Sequence, residues 1–419
     1  MFGKYREAEK LKIQVLYARN RILGVEHPDT ITSMGNLAVT SYNLGKYKKA
    51  ETMEIQVLHA GNRILGVEHP DTITFMANLA ATYRKLGKYT EAEKLEIQVL
   101  DARIRILGVE HPNTINSMAN LARTYKKLGK YTEAEKLDIQ VLDVGNRILG
   151  VEHLDTITFM ANLAATYGKL GKYTDAEKLD IQVLDASNRI LGVEHPDTIT
   201  FLGNLAATYK KLGKYTEAEK LEIQVLDARN RILGVEHPDT INSMAYLAIT
   251  YNKLGKSREA EKLEIQVLHA DNRILGVEHP DTITSMANLA ITYGNLGKYT
   301  EAEKLQIQVL DARNRILGVE HPDTITSMEN LATTYGNLGK YPEAEKLEIQ
   351  VFNARNRILG PEHPYTIEAM KNLARTLTHL GKYIEAKKLV IQAQKVKDMV
   401  SGPEPSHEVA TMVNVEEAK

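Results

Sequence analysis

The fold is decided by the stretch from His69 to Glu110, which reads HPDTITFMANLAATYRKLGKYTEAEKLEIQVLDARIRILGVE. In its first half, apolar residues recur at steps of three and four, at Ile73, Met76, Leu79, Ala80, Tyr83 and Leu86. This period is typical of an amphipathic α-helix rather than of a strand. We call the predicted helix A.

Both ends of helix A carry recognisable signals. Pro70 suits a first helical turn, where its missing N–H is no loss, and Asp71 and Thr72 suit the positive end of the helix dipole. Gly87 can adopt the left-handed conformation that ends a helix. Glycine recurs at the same place in the other repeats, at Gly45, Gly129, Gly171, Gly213, Gly255, Gly297, Gly339 and Gly381.

The second half predicts another helix, which we call helix B and which ends at Gly108. One apolar stripe contains Tyr89, Ala92, Leu95 and Val99. A second stripe, rotated from the first, contains Ile97, Leu100, Ile104 and Leu107. A helix that is apolar on two sides is expected to pack between neighbours.

The whole chain repeats this helix pair. Histidine recurs every 42 residues, at His27, His69, His111, His153, His195, His237, His279, His321 and His363. One pair of helices cannot bury its own apolar faces, so each must stack on the next. We therefore predict an all-α fold, an α-solenoid of antiparallel helix pairs with nine repeats over residues 27–404.

Composition limits the classes of function. The 419 residues are 43% hydrophobic and 26% charged, which predicts a folded chain, and the formal charge of −1 provides no global field toward nucleic acid or anionic membranes. Cysteine is absent. The sequence has no signal-peptide pattern and no long apolar run, so we expect a cytoplasmic protein without membrane contact.

The residues Leu79, Ala80, Tyr83, Gly87, Tyr89 and Ala92 reproduce the pattern of the tetratricopeptide repeat family. With its 42-residue period and its HPDT, NLA and GKY segments, the chain resembles the kinesin light chain subtype and the repeat arrays of fungal nucleotide-binding immune-type receptors. The resemblance implies a right-handed superhelix in which helix A lines a concave groove. One departure is acidic, because mid-helix B carries Glu96, Asp138, Asp180, Glu222 and Glu264 where many relatives have an aromatic residue.

The two ends of the chain differ from the repeats. We interpret residues 1–26 as an orphan helix B of a truncated preceding repeat, which predicts a fragment or a truncated gene product. Such a helix would expose an apolar face, through which we expect self-association. Residues 405–419 combine proline with mixed polarity and predict a flexible polar tail.

The repeated histidine raises the question of a metal site. Metal ligands must converge on one ion, whereas these histidines lie on successive repeats, so we interpret each as part of a joint leading into helix A. No catalytic constellation departs from the repeat pattern. We therefore predict a protein that is not an enzyme and binds no metal or cofactor.

The candidate binding residues lie on helix A, which the resemblance places in the groove. Asparagine recurs there at Asn36, Asn78, Asn120, Asn162, Asn204, Asn288, Asn330 and Asn372, and only Tyr246 interrupts the series. Each amide offers a donor and an acceptor to the backbone of an extended peptide. The alternative is that these amides cap or bridge neighbouring helices.

Differences between repeats indicate where specificity could reside. One variable column contains Ser33, Phe75, Ser117, Phe159, Phe201, Ser243, Ser285 and Ser327, and another contains Val39, Ala81, Arg123, Ala165, Ala207, Ile249, Ile291, Thr333 and Arg375. We interpret both as a tuned groove. Helix B also varies, at Gly61, Arg103, Gly145, Ser187 and Asp271, and we interpret those changes as drift.

Cations near the end of helix A form a third variable column, with Arg84, Lys126 and Lys210 beside the outermost lysines. The candidate cations for an acidic ligand are Lys85, Arg123, Lys127, Lys169, Lys211 and Lys253. The alternative is that they only complement the helix dipole.

The predicted function is a non-catalytic scaffold that binds an extended peptide or a partner surface, as the sensor region of a larger signalling protein. A kinesin-light-chain-like cargo adaptor is the alternative. A repeat protein that binds single-stranded RNA is more distant, because the charge is neutral and groove aromatics are sparse beyond Phe75, Phe159 and Phe201.

Overall fold

The structure is a computed structural model that describes residues 2–401, apart from a few side chains near the two ends. The predicted polar tail, residues 405–419, lies outside the described residues. Within them the chain forms nineteen α-helices and no strand. The all-α prediction is confirmed.

Odd-numbered helices are B helices and even-numbered ones are A helices. Their bounds are α1 Phe2–Leu23, α2 Pro28–Asn43, α3 Tyr47–Ile64, α4 Pro70–Lys85, α5 Tyr89–Leu107, α6 Pro112–Lys127, α7 Tyr131–Ile148, α8 Leu154–Lys169, α9 Tyr173–Ile190, α10 Pro196–Lys211, α11 Tyr215–Leu233, α12 Pro238–Lys253, α13 Ser257–Ile274, α14 Pro280–Asn295, α15 Tyr299–Leu317, α16 Pro322–Asn337, α17 Tyr341–Leu359, α18 Pro364–His379 and α19 Tyr383–Ser401.

The repeated histidine caps helix A. His69 has extended backbone angles, and its Nδ1 accepts a hydrogen bond from the backbone N–H of Asp71 at 3.2 Å. The same bond recurs at all nine A helices. Histidine therefore satisfies one of the N–H groups that a helix start leaves unpaired, a role usually filled by Ser, Thr, Asp or Asn.

Helix A ends as its glycine predicts. Gly87 has φ +75°. The N–H of Lys88 donates to the carbonyl of Tyr83 at 2.9 Å, and the N–H of Gly87 donates to the carbonyl of Arg84 at 3.2 Å. These two bonds form a Schellman motif, which requires a left-handed residue at the position of Gly87.

The apolar core is built between successive helices. Leu100 of α5 packs with Met118 of α6 and Val141 of α7, and equivalent clusters recur along the chain. Each cluster thus joins a helix pair to the preceding helix B, which confirms the predicted stacking. Contacts between neighbouring repeats are expected to supply most of the stability.

The prediction that the second apolar stripe of helix B packs against a neighbour is mostly wrong. Leu100 is buried, but Ile97, Ile104 and Leu107 are exposed. Helix B packs its Ala92 and Val99 face and the Leu100 edge, and the rest of the stripe stays on the surface. Scattered exposed aliphatic residues are common on folded proteins.

The chain divides into two compact units, with the boundary between Leu221 and Glu222 inside α11. Unit 1 contains α1 to α10 and the start of α11, and unit 2 contains the remainder of α11 and the helices that follow. In unit 1 successive helices from α1 to α10 pack on one another along the chain, and in unit 2 the same holds from α12 to α19.

Helix α1 is a helix B that packs on α2. It exposes apolar side chains, since Leu11, Tyr17 and Ile22 are 59%, 71% and 73% exposed. This agrees with the apolar face predicted for residues 1–26.

Candidate functional site

The asparagine series lies on the accessible face of helix A. Asn36 and Asn204 are exposed, and the six others are half-buried at the surface. The register explains this position, because each asparagine immediately precedes a buried leucine and alanine, such as Leu79 and Ala80. Tyr246, which interrupts the series, is 57% exposed.

Two of these amides are engaged by neighbouring side chains. Oδ1 of Asn120 accepts from Arg84 of the preceding helix A and from Arg123 of its own helix, both at 3.4 Å. Asn372 accepts from Arg375. The bridging alternative is thus realised between helices at Asn120, where the amide links two repeats.

The candidate cations are exposed on the same face. Lys85, Lys127, Lys169, Lys211 and Lys253 each lie seven residues after the asparagine position of their helix, which is two turns further along one side. Arg123 is also exposed, one turn after Asn120. The column that contains Arg123 is exposed nearly throughout, which agrees with its assignment to an accessible face.

Two other cations of this column, Arg84 and Lys126, pair with acidic residues of the protein itself. Arg84 pairs with Glu96, and Lys126 Nζ lies 3.1 Å from Asp138 Oδ2. Both cations are half-buried. Arg84 and Lys126 therefore neutralise buried acids inside the array. Their assignment to a ligand-binding column was wrong.

Those acids form a buried column that sequence reasoning noted only as a departure from the family. The acids at mid-helix B are no more than 6% exposed at Glu54, Glu96, Asp138, Asp180, Glu222 and Glu264. Threonine hydroxyls of the next helix A donate to them, as Thr166 does to Asp138 at 2.5 Å and Thr208 to Asp180 at 2.6 Å. The helical spacing indicated this burial, because Glu96 lies four residues after buried Ala92 and three before buried Val99.

The electrostatic state of these acids depends on the residue opposite. Burial raises the pKa of Glu54 to about 7, partly opposed by the hydroxyl of Thr82. Burial likewise raises the pKa of Glu264 to about 7, where Asn252 Nδ2 donates to Oε1 at 3.3 Å. Burial also raises the pKa of Glu96, although the Arg84 guanidinium opposes this effect.

The column that begins at Ser33 is an internal contact rather than a groove. Arg103 Nη1 of helix B donates to Ser117 Oγ at 2.8 Å and to the carbonyl of Asn113 at 3.0 Å. The same arrangement joins Arg19 to Ser33, Arg229 to Ser243 and Arg313 to Ser327. In each pair the serine of helix A follows the arginine of helix B by 14 residues.

Where helix B carries glycine, the partner is phenylalanine. A Cβ added at Gly61 would lie 3.1 Å from the Phe75 ring, and one at Gly145 would lie 2.8 Å from the Phe159 ring. The variation on helix B is therefore coupled to that on helix A and is not drift. Phe75 is buried and Phe159 and Phe201 are half-buried in core clusters, so their reading as groove aromatics was wrong.

Comparisons with known proteins agree with the geometry. A family profile described as a tetratricopeptide repeat matches residues 71–144, 120–189, 155–230, 197–273, 281–355 and 337–398, and a second profile of that description matches residues 1–29 and 30–71. No curated protein matches the chain in sequence.

Among solved structures, nearly identical TPR-like repeats of a kinesin light chain-like protein from Podosopora anserina are 31% identical, with 50% of this chain and 100% of that chain covered and a TM-score of 0.46. A STAND signal transduction ATPase with a tetratricopeptide repeat sensor, from Pyrococcus horikoshii, is 13% identical over 89% of this chain and 53% of that chain, with a TM-score of 0.61. The apo quorum sensor NprR from B. thuringiensis is 12% identical over 88% and 99%, with a TM-score of 0.57. The latter two share the fold.

No helix in the described part of the chain combines the length and the apolar character needed to cross a membrane.

Proposed function

Because the chain belongs to the tetratricopeptide repeat family, we propose that it is a non-catalytic protein-interaction scaffold that holds an extended peptide or partner surface along its A helices. The observation that carries this proposal is an accessible asparagine at one register in eight of the nine A helices. A primary amide can pair with both the N–H and the carbonyl of an extended backbone. Weak contacts at successive repeats would add through effective concentration.

The exposed lysines support a preference for acidic segments of the ligand. Lys85, Lys127, Lys169 and Lys211 occupy successive repeats of unit 1 beside the asparagine series, Lys253 takes the same position in α12 of unit 2, and each is exposed. An ordered row of like charges attracts an opposite one and speeds its association. In unit 2, Asn295 takes the place of the lysine in α14, the helix A that follows α12.

A finer version of the proposal makes the array the sensor region of a larger signalling protein. The repeats of the STAND protein are described as a sensor, which supports this version. A kinesin-light-chain-like cargo adaptor is the alternative. A nucleotide-binding domain encoded upstream in the gene would favour the sensor, and an upstream heptad segment would favour the adaptor.

The proposal is tested with the full chain immobilised and offered a library of N-acetylated heptapeptides. We expect retained peptides, with acidic ones enriched. The variant Lys127→Glu with Lys211→Glu should weaken their binding about tenfold at low salt and flatten its salt dependence, since it reverses two charges on the binding face.

The matched control is Lys94→Glu with Lys136→Glu, which changes the net charge equally at exposed positions of helix B. Equal weakening by both double variants would show that only the net charge matters. If no peptide were retained, the scaffold proposal in its peptide-binding form would be wrong.

A further inference from the structure

The interruption of the asparagine series coincides with a cavity in unit 2. Tyr246 of α12 stands where the other A helices carry asparagine. A cavity of about 290 Å³ opens beside it, between α12, the end of α13 and α14. Tyr246, Ile249 and Asn288 all line it. It therefore opens on the face that we propose for ligand binding.

The cavity originates from an exception in the coupled pairs of helix B and helix A. Elsewhere one partner is large, as in Arg229 with Ser243 or Phe75 opposite Gly61. Here both partners are short, because Asp271 of α13 is paired with Ser285 of α14. The volume that an internal arginine or phenylalanine fills in those repeats is left open.

The acceptors that bind the internal arginine remain in place. In the preceding repeat, Nη1 of Arg229 donates to the Asp239 carbonyl at 3.0 Å and to Ser243 Oγ at 2.8 Å. The equivalent atoms in the cavity are the Asp281 carbonyl and Ser285 Oγ. Ser243 is 3% exposed beneath its arginine, whereas Ser285 is half-buried.

The charge of the cavity is the reverse of that in the arginine repeats. Its charged lining residues within the described chain are Asp271 and Asp281, and no lysine or arginine lines it. Asp271 is only 8% exposed, and its Oδ2 accepts from Ser285 at 2.6 Å. A carboxylate held in a partly desolvated site attracts a cation more strongly than one in open solvent.

The remaining lining suits the stem of a long side chain. Ile241 and Ile249 of α12 and Val267 of α13 form apolar walls. Arginine combines an apolar stem with a planar fork of donors that matches a carboxylate and neighbouring oxygen acceptors. A lysine ammonium would present a point charge without that fork.

We propose that this cavity is an arginine pocket, in which the guanidinium of a ligand arginine takes the place that Arg229 fills in the preceding repeat. The guanidinium donates to the carboxylate of Asp271, to Ser285 Oγ and to the carbonyl of Asp281. This inference rests on the proposed function, because it names a specificity site for the same peptide ligand. The pocket fixes the register of the peptide through one side chain, while the asparagines contact the peptide backbone.

The test uses the full chain and a positional library of N-acetylated heptapeptides in which one position is fixed as arginine, lysine, citrulline or leucine. For wild type we expect arginine at one position to be enriched about tenfold over lysine and over the neutral isostere citrulline. Asp271→Arg fills the pocket from within and should abolish this enrichment. Asp271→Asn keeps the shape of the pocket but removes its charge, and should leave only a small residual enrichment.

Asp271→Arg is a safe variant for folding because it recreates the Arg–Ser pair found between Arg103 and Ser117. Its thermal midpoint should equal or exceed that of wild type. Peptides retained without an arginine preference, or with one that persists in Asp271→Arg, would overturn the pocket while the peptide face stands. If wild type retained no peptide, the proposed function would fail and the inference with it.

Discussion

Glu54 and Glu264 are single carboxylates buried at contacts between repeats, and among the described residues no cation pairs with either. Their neighbours Glu51 and Glu261 add like charge that raises both pKa values further. A group whose folded pKa rises from 4.5 to about 7 binds its proton more tightly when folded. The folded state is therefore favoured below pH 4.5 and loses stability as the pH rises through 7.

Glu264→Gln should raise stability at pH 8 by about 2 kcal/mol, because the amide has no charge to desolvate. The gain should shrink toward zero near pH 4.5, where the wild-type acid is protonated. Gln306 fills the equivalent buried position in repeat 7. Urea unfolding at the two pH values measures the difference.

Glu96→Gln is the matched control, because it removes the partner of half-buried Arg84. We expect this variant to lose stability at pH 8, since an unpaired buried cation is costly. A loss of stability at pH 8 for Glu264→Gln as well would refute the assigned role of desolvation.

Single residues show which signals in the sequence were readable. Pro70 and Gly87 predicted the bounds of helix A because each acts through its own backbone. The cap formed by His69 was not predicted, since histidine is an unusual cap and its role depends on where Nδ1 points. The burial of Glu96 was missed because a carboxylate is ordinarily exposed, although its register matched buried neighbours.

At the scale of helices, the contact between helix B and the next helix A is specified by pairs 14 residues apart. Arginine is matched with serine, and glycine with phenylalanine, so one large side chain fills each contact of these two kinds. The variation at one position at a time could not reveal this pairing. The two partners face each other only because the chain turns at the glycine that lies between them in the sequence. Volume complementarity across the contact is what the paired variation preserves.

Exchanging one pair for the other tests this coupling. Gly61→Arg should destabilise by about 1 to 3 kcal/mol through overlap with Phe75, and Phe75→Ser by about 3 kcal/mol through the space it leaves. The double variant copies the pair of Arg103 and Ser117. It should recover most of the loss, giving a coupling of about 2 kcal/mol in a double-mutant cycle of urea unfolding. Additive losses would disprove the pairing.

At the scale of the molecule, the described chain buries its core through neighbouring helices and exposes apolar residues on α1. We predict concentration-dependent self-association through this helix. Leu11→Lys with Ile22→Lys should lower the association constant at least tenfold in sedimentation equilibrium. The control is Val67→Lys with Val193→Lys, exposed loop residues between helices that should leave it unchanged. A monomeric wild type at high concentration would contradict the prediction.

The central claim is that the A helices carry the ligand, and site-specific photo-crosslinking tests it most directly. A photoreactive residue is introduced at Ala165 on the exposed face of α8, or at Gln182 on the exposed side of α9. With a peptide retained from the library, we predict a crosslink from position 165 and none from position 182. A crosslink from position 182 alone, or equal yields from both, would contradict the account.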